Sequence, residues 1–197
     1  MRFSRTLPPT PRSLGILAGS FNPPTIAHLE LVRASRSLVD ALLCVVPCEL
    51  PHKEYFGATL EQRLDLLGES LPPDCGLATS ERGLLIDIAR ECREQFGGRT
   101  RLYFVCGRDA AERILNWDYG RTGVVEQMLE DFQLLVARRS GYFEAPLQHR
   151  ERIHQLDIQG FHDDVSSTTV RERIAKREPW EHLVPESIVD RVRSIYS

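Results

Sequence analysis

The sequence predicts an α/β fold: a doubly wound parallel sheet covered by helices and followed by C-terminal helices. Three observations support this prediction. Short apolar runs of strand length alternate with helical stretches along the chain. The run 41–47 has no polar alternation, as expected for a strand covered on both faces. Polar clusters follow the apolar runs, and ligands of doubly wound sheets bind beyond the carboxyl ends of the strands.

The predicted elements follow one another without an internal repeat or a linker. A strand at 14–17 leads through a turn into a helix that Thr25 caps and that carries Ile26, Leu29 and Val32. Further strands are expected at 41–47, 76–79, 100–106, 132–137 and 153–158. Further helices are expected at 59–70, 84–96, 124–129, 146–150, 167–176 and 185–196. This order calls for right-handed crossovers between parallel strands.

Composition limits the function classes. The chain has 197 residues, which suits one domain at 14–197 preceded by a basic, flexible lead at 1–13. A net charge of -3 gives no general attraction to nucleic acid or to an acidic membrane. No apolar run reaches membrane-spanning length. The five cysteines lie in or beside apolar runs without zinc spacing, so we expect reduced, buried thiols in a cytoplasmic protein.

The stretch 18–28 predicts a phosphate site. Gly19 allows a sharp turn after the first strand, and Pro23 stiffens it. Thr25 and His28 then fall at the start of a helix, where free N–H groups and the helix dipole favour an anion. The alternative is an ordinary strand-to-helix turn with a solvated histidine.

A second anion site is predicted at Ser166–Thr169, a run of hydroxyls that opens a helix. Arg171 lies in or near the first turn, where a cation opposes the helix dipole by about 0.3–1 kcal/mol. Its placement is therefore better explained if an anion occupies the site, and a polyphosphate tail would be well held. The alternative is a capped helix in which Thr169 and Glu172 form the capping box.

Other residues at strand ends could complete a nucleotide site. Asp109 follows Gly107 and suits a ribose, Trp117 could stack on a flat ring, and Lys53 with His52 could meet a monophosphate. The alternatives are a helix cap, a packing tryptophan and a solvated loop.

The sequence shows no arrangement of residues typical of a catalytic nucleophile or a metal cluster. Transfer of a nucleotidyl group between phosphates needs no protein nucleophile, because positioning the anions and neutralising their charge can suffice. Mg²⁺ held largely by the phosphates of the substrate would fit without a dedicated protein cage.

These motifs resemble the HxGH-type nucleotidyltransferases, and within them most closely bacterial nicotinate-nucleotide adenylyltransferase. The pieces occur in the family's order: Gly19-Ser20-Phe21-Asn22-Pro23-Pro24-Thr25-x-x-His28, Pro51-His52-Lys53 before Gln62-Arg63-Leu64, Gly107-x-Asp109 with Trp117, Ala137-Arg138-Arg139-Ser140-Gly141-Tyr142, Ser166-Ser167-Thr168-x-x-Arg171 and Leu183-Val184-Pro185-Glu186.

The resemblance implies a Rossmann-like fold of the nucleotidyltransferase type, and transfer of AMP from ATP to a pyridine mononucleotide in NAD biosynthesis. It implies catalytic roles for His28 and Arg171. The implied ATP-binding residues are Gly19, Ser20, Phe21, Thr25, His28, Gly107, Asp109, Ser167, Thr168 and Arg171. The implied residues on the mononucleotide side are Asn22, His52, Lys53, Trp117 and Arg139. Partners are small molecules, and a homo-oligomer is left open.

Three departures separate the chain from the family pattern. Ala18 and Ala27 replace glycines, and Gly83-Leu84-Leu85 replaces a Ser-Tyr-Thr segment that would help to recognise the pyridine ring. Two other interpretations therefore stay open. One is a transferase of the same fold that acts on another phosphorylated acceptor, such as phosphopantetheine or a sugar phosphate. The other is a nucleotide-binding module without turnover.

Overall fold

The computed structural model describes residues 1–49, 57–137, 143–158 and 164–197. The strands are β1 (Arg2–Arg5), β2 (Ser13–Ala18), β3 (Ala41–Pro47), β4 (Gly76–Ser80), β5 (Arg101–Gly107), β6 (Gln133–Ala137) and β7 (Ile153–Leu156). The α-helices are α1 (Ile26–Ser35), α2 (Leu60–Ser70), α3 (Leu85–Phe96), α4 (Arg108–Asn116), α5 (Val124–Asp131), α6 (Ser167–Lys176) and α7 (Val189–Tyr196). Short 3-10 turns lie at Leu147–His149, Glu181–Leu183 and Glu186–Ile188.

The strands form one sheet in the order β1-β4-β3-β2-β5-β6-β7. Strands β2 to β7 pair in parallel, and β2 lies between β3 and β5. The chain thus winds outward from β2 first to one side and then to the other, which confirms the doubly wound α/β prediction. The switch point, where such folds bind ligands, lies between β2 and β5.

The N-terminal lead differs from its expectation. Instead of a flexible segment, residues 2–5 form β1 and pair antiparallel with β4. The side chain of Leu7 packs so closely on Gly76 that a Cβ there would lie 2.6 Å from Leu7 Cγ. The Arg5 guanidinium donates to the carbonyls of Gly68 (2.8 Å) and Pro72 (2.9 Å) at the end of α2. These contacts join residues 2–7 to the sheet edge and to α2, where the sequence predicts a separate lead.

Four further corrections concern single elements. Helix α4 was not predicted, because it begins directly after β5 with no intervening loop. The expected helix at 146–150 is only a 3-10 turn of three residues, and the one at 185–196 starts as a 3-10 turn before α7. Strand β7 ends at Leu156, two residues before the predicted end.

The core has three apolar clusters. One face of the sheet packs on α3, α4 and α5, and the other on α1 and α2. A third cluster joins α1 and α2 to the C-terminal helices, and contains Ala27, Leu66, Val165, Val170, Trp180, Leu183, Val184, Ile188 and Val192. The third cluster positions α6 and α7 beside the loop that follows β2.

The cysteines are all free thiols. Burial raises the pKa of Cys92 and of Cys106 to about 12, which makes them inert. Cys44 and Cys75 are also buried, whereas Cys48 at the end of β3 is exposed. The expectation of buried thiols is therefore wrong for Cys48, which lies one residue beyond the apolar strand. In the described residues, no helix is long and apolar enough to cross a membrane.

Candidate active site

The start of α1 holds the imidazole of His28 in one orientation. Thr25 is the N-cap residue and is fully buried. Its backbone N–H donates to Nδ1 of His28 at 3.1 Å, and its Oγ1 lies 2.7 Å from the same atom. Because Nδ1 acts as the acceptor of a backbone N–H, the ring proton lies on Nε2. Nε2 is therefore the donor end of the ring.

The ring of Phe21 packs beside the imidazole of His28. Its ring is buried and lies 5.0 Å from the His28 ring, centroid to centroid, at 55°. Phe21 adopts a left-handed backbone conformation with φ 46°, which costs a bulky residue about 1–3 kcal/mol. Such strain persists only where neighbouring contacts impose it, and strained residues cluster at functional sites.

The N-terminus of α6 is bound to this loop. The hydroxyl of Ser167 donates to the carbonyl of Pro23 at 2.7 Å, and Nη1 of Arg171 donates to the carbonyl of Asn22 at 2.6 Å. Nη2 of Arg171 also donates to Oγ1 of Thr168 at 3.3 Å. The two stretches predicted to bind phosphate are thus joined by direct hydrogen bonds between residues 144 and 149 positions apart in sequence.

Two further residues hold the loop and were not predicted as site residues. Arg63 of α2 is fully buried and donates from Nη1 to the carbonyl of Ser20 at 3.0 Å. Tyr196 of α7 donates to Oδ1 of Asn22. Arg63 could have been found, because it lies four residues before the buried Leu67 and so on the inner face of α2. No local sequence signal marks Tyr196.

The loop is therefore fixed through its carbonyl groups. Three carbonyls within four residues, those of Ser20, Asn22 and Pro23, each accept a hydrogen bond from a side chain. Carbonyl oxygens repel phosphate, so engaging them removes an obstacle to anion binding beside the helix N-termini.

The side chain of Ala27 faces the C-terminal part of the chain. Its methyl group is buried and belongs to the apolar cluster that joins α1 to the C-terminal helices, together with Val165 and Val170. The family's glycine at this position is thus replaced by a residue whose side chain contributes to packing between helices.

A cleft of about 530 Å³ opens beside Gly19 and Ser20 at the switch point of the sheet. Trp117, at the end of α4, lines it and is 42% exposed. The segment 83–85, with Leu84 and Leu85, lines the same cleft as Trp117. Further lining residues are Arg90, Arg113, Tyr119, Arg121, Val124, Gln127 and Met128.

Gly107 and Asp109 lie at the carboxyl end of β5, next to β2 in the sheet. Gly107 is the N-cap of α4, and Asp109 lies in its first turn with a largely exposed carboxylate 3.6 Å from Nε of Arg108. An exposed carboxylate at this place is accessible to a ribose, and this role stays a prediction.

Some predicted site residues cannot be placed. His52 and Lys53, as well as Arg139, lie outside the described residues. Within the described ranges, no group of three or more His, Cys, Asp or Glu residues could hold a metal ion. The expectation that no protein cage holds the metal stays a prediction.

The sequence is similar to that of known proteins over most of the chain. The sequence model of the cytidylyltransferase-like family matches residues 16–173. A protein of Moorella thermoacetica named "Probable nicotinate-nucleotide adenylyltransferase" is 27% identical over 203 residues, which cover 93% of this chain and 90% of that protein. A protein of Oceanobacillus iheyensis with the same name is 29% identical over 192 residues, covering 92% and 94%.

A solved structure is similar in fold. It is the nicotinic acid mononucleotide adenylyltransferase of Plasmodium falciparum complexed with NaAD, with a TM-score of 0.69 and 15% identity. The superposition covers 92% of this chain and 95% of that one. At this identity the likeness establishes a common fold.

Proposed function

The chain belongs to the cytidylyltransferase-like family, and from this premise we propose that it is an adenylyltransferase that transfers AMP from ATP to nicotinate mononucleotide. The products would be a dinucleotide and pyrophosphate, in NAD biosynthesis. One observation carries the proposal: the loop before α1 and the N-terminus of α6 are joined by the hydrogen bonds of Ser167 and Arg171. The names of the relatives over nine tenths of the chain support the choice of acceptor.

The triphosphate of ATP would lie where the N-termini of α1 and α6 meet. Both helix ends offer backbone N–H groups and the positive end of a helix dipole. Ser167 and Thr168 add hydroxyls, and Arg171 adds a cation that is already held beside Asn22. Gly107 and Asp109, at the neighbouring strand end, would face the ribose.

His28 would act at the α-phosphate. A phosphate oxygen of the mononucleotide forms a bond to the α-phosphorus of ATP, and the bond from that phosphorus to the bridging oxygen of pyrophosphate breaks. Negative charge grows on the α-phosphate oxygens during this exchange. The Nε2–H of His28, oriented by Thr25 through Nδ1, would donate a hydrogen bond to that charge.

The acceptor would occupy the cleft beside Gly19 and Ser20. Trp117 offers an exposed ring face for stacking on the pyridine ring, which contributes about 0.5–1.5 kcal/mol beyond burial. Asn22, His52, Lys53 and Arg139 are the further residues proposed for the mononucleotide, whose phosphate needs cationic or amide partners.

We further propose Mg²⁺ as the companion of ATP and the cytoplasm as the location. Mg²⁺ retains much of its water and is commonly held through substrate phosphates, where it neutralises charge. This fits a described chain in which acidic and histidine side chains form no cage.

The test also includes other phosphorylated acceptors, because Gly83-Leu84-Leu85 makes one wall of the cleft apolar. The experiment is a pyrophosphate-release assay with ATP, Mg²⁺ and a panel containing nicotinate mononucleotide, nicotinamide mononucleotide, phosphopantetheine and a sugar phosphate. His28→Ala measures the background. We expect the highest kcat/KM with nicotinate mononucleotide. If only phosphopantetheine or a sugar phosphate is turned over, nicotinate mononucleotide is not the acceptor. ATP binding without any turnover would indicate a nucleotide-binding module.

A further inference from the structure

Tyr196 lies in α7, outside the residues 16–173 that match the family. It nevertheless contacts the loop that follows β2. The hydroxyl of Tyr196 donates a hydrogen bond to Oδ1 of Asn22. The backbone carbonyl of Asn22 accepts a hydrogen bond from Arg171 at 2.6 Å. Asn22 is itself buried. Helix α7 therefore holds the side chain of Asn22, and α6 holds its main chain.

The ring of Tyr196 also touches the segment that leads into α2. A Cβ built on Gly57 would lie 3.0 Å from Cε1 and 3.1 Å from Cδ1 of Tyr196. Gly57 has φ 87°, a conformation that favours glycine. Tyr196 thus packs on the backbone just before α2 while its hydroxyl reaches the loop, and so it spans the two segments.

The surroundings keep Tyr196 a hydrogen-bond donor. Burial raises the pKa of its phenol well above the usual range, an effect that the nearby guanidinium groups of Arg171 and Arg63 oppose only in part. The hydroxyl is protonated at every pH at which the enzyme would work. With its proton directed to Oδ1, the amide N–H groups of Asn22 point the other way.

We propose that Tyr196 is a positioning residue for nucleotidyl transfer. By holding the carboxamide of Asn22, it sets the loop between Gly19 and Thr25 and, through Thr25, the imidazole of His28. It touches no reacting atom. This inference rests on the proposed transferase function. It adds to the active site a residue of α7, which lies outside the residues 16–173 that match the family model.

The decisive variant is Tyr196→Phe, which removes the hydroxyl and keeps the ring on Gly57. Since one hydrogen bond is worth about 0.5–1.5 kcal/mol, we expect kcat to fall about two- to twelvefold with little change in KM for ATP. Tyr103→Phe is the matched control, because Tyr103 lies half-buried in β5 near His154. A double variant with Asn22→Ala should lose no more kcat than Asn22→Ala alone.

Hydrogen exchange of the backbone amides of residues 19–22 and Thr25 provides a second readout that needs no acceptor substrate. We expect faster exchange there in Tyr196→Phe, and unchanged exchange in Tyr103→Phe and in the central strands. Unchanged kcat in an active enzyme would overturn the proposal, as would faster exchange throughout the sheet, which indicates a general loss of stability. If wild type turns over none of the acceptors, the proposed function fails while the exchange data still decide whether Tyr196 orders the loop.

Discussion

The loop at 19–25 and the cleft wall at 83–85 border the same site but are built in opposite ways. The loop is held by side chains from three helices, through Arg63, Arg171 and Tyr196 among others. The wall has an apolar residue, Leu84, as the N-cap of α3, with no side-chain hydrogen bond to the helix and 42% of its surface exposed.

In the proposed reaction this difference would separate two tasks. Charge stabilisation at phosphorus would depend on hydrogen-bond geometry, which agrees with a loop held by several side-chain hydrogen bonds. Recognition of an acceptor ring depends on apolar contact, which is less directional and tolerates substitution. We therefore expect changes at the loop to alter kcat, and changes at the wall to alter the KM of the acceptor.

The largest effect is expected from His28→Ala. Loss of a preorganised donor to developing charge typically lowers kcat by about 10²–10³-fold. The KM for ATP should change little, because the helix N-termini and Arg171 still bind the phosphates. Steady-state pyrophosphate release measures both constants, with His182→Ala in an exposed 3-10 turn as control. Unchanged kcat would give His28 a purely structural role.

The next effect is expected from Arg171→Lys. An ammonium keeps the charge but cannot donate to both the Asn22 carbonyl and Thr168 Oγ1. We expect kcat/KM for ATP to fall about 10–100-fold, corresponding to a charged hydrogen bond of about 1.5–3 kcal/mol. Arg173→Lys on the same helix is the matched control, since Arg173 donates to the carbonyl of Pro179 instead. Equal losses in both variants would contradict a specific role.

At the cleft, Trp117→Ala should act on the acceptor alone. Loss of stacking worth about 0.5–1.5 kcal/mol predicts a KM for the mononucleotide about two- to twelvefold higher. The KM for ATP is the internal control, and Trp117→Phe should give an intermediate value. If kcat falls while the acceptor KM stays constant, the proposed division between loop and wall is wrong.

The smallest effect is expected from Leu84→Ser. A serine at an N-cap stabilises a helix by about 1 kcal/mol relative to an apolar residue, so the free energy of unfolding in urea should rise by that amount. Leu38→Ser changes another exposed leucine, 53% accessible, that caps no helix and should leave stability unchanged. A loss of stability in Leu84→Ser would show that the apolar contact of Leu84 outweighs capping.

Much of the fold could be predicted because apolar runs and helix caps are local signals. Strand β3 and the helix capped by Thr59 were found within a residue or two. β1 was missed because its four residues are too few and too polar to stand out, and only pairing with β4 makes them a strand. Helix α4 was missed because no loop precedes it.

The position of the candidate site could be predicted from the polar segments that follow the strands. The structure brings the loop with Thr25 and His28 together with Ser167 and Arg171, as expected for segments that follow the carboxyl ends of parallel strands, and their roles stay predictions. Tyr196 could not be identified, because its partner Asn22 lies 174 positions away and a tyrosine near a helix end has no distinctive pattern. The roles predicted for His52, Lys53 and Arg139 stay predictions.

The two edge strands bear on how copies of the chain behave at high concentration. β1 covers the side of β4 that would otherwise offer unpaired N–H and C=O groups to another molecule. In the described part of the chain the outermost strands are β1 and β7, and each has only four residues. Short edges, one of them bearing Arg2 and Arg5, make poor templates for strand addition, so the sheet is protected against edge-to-edge aggregation.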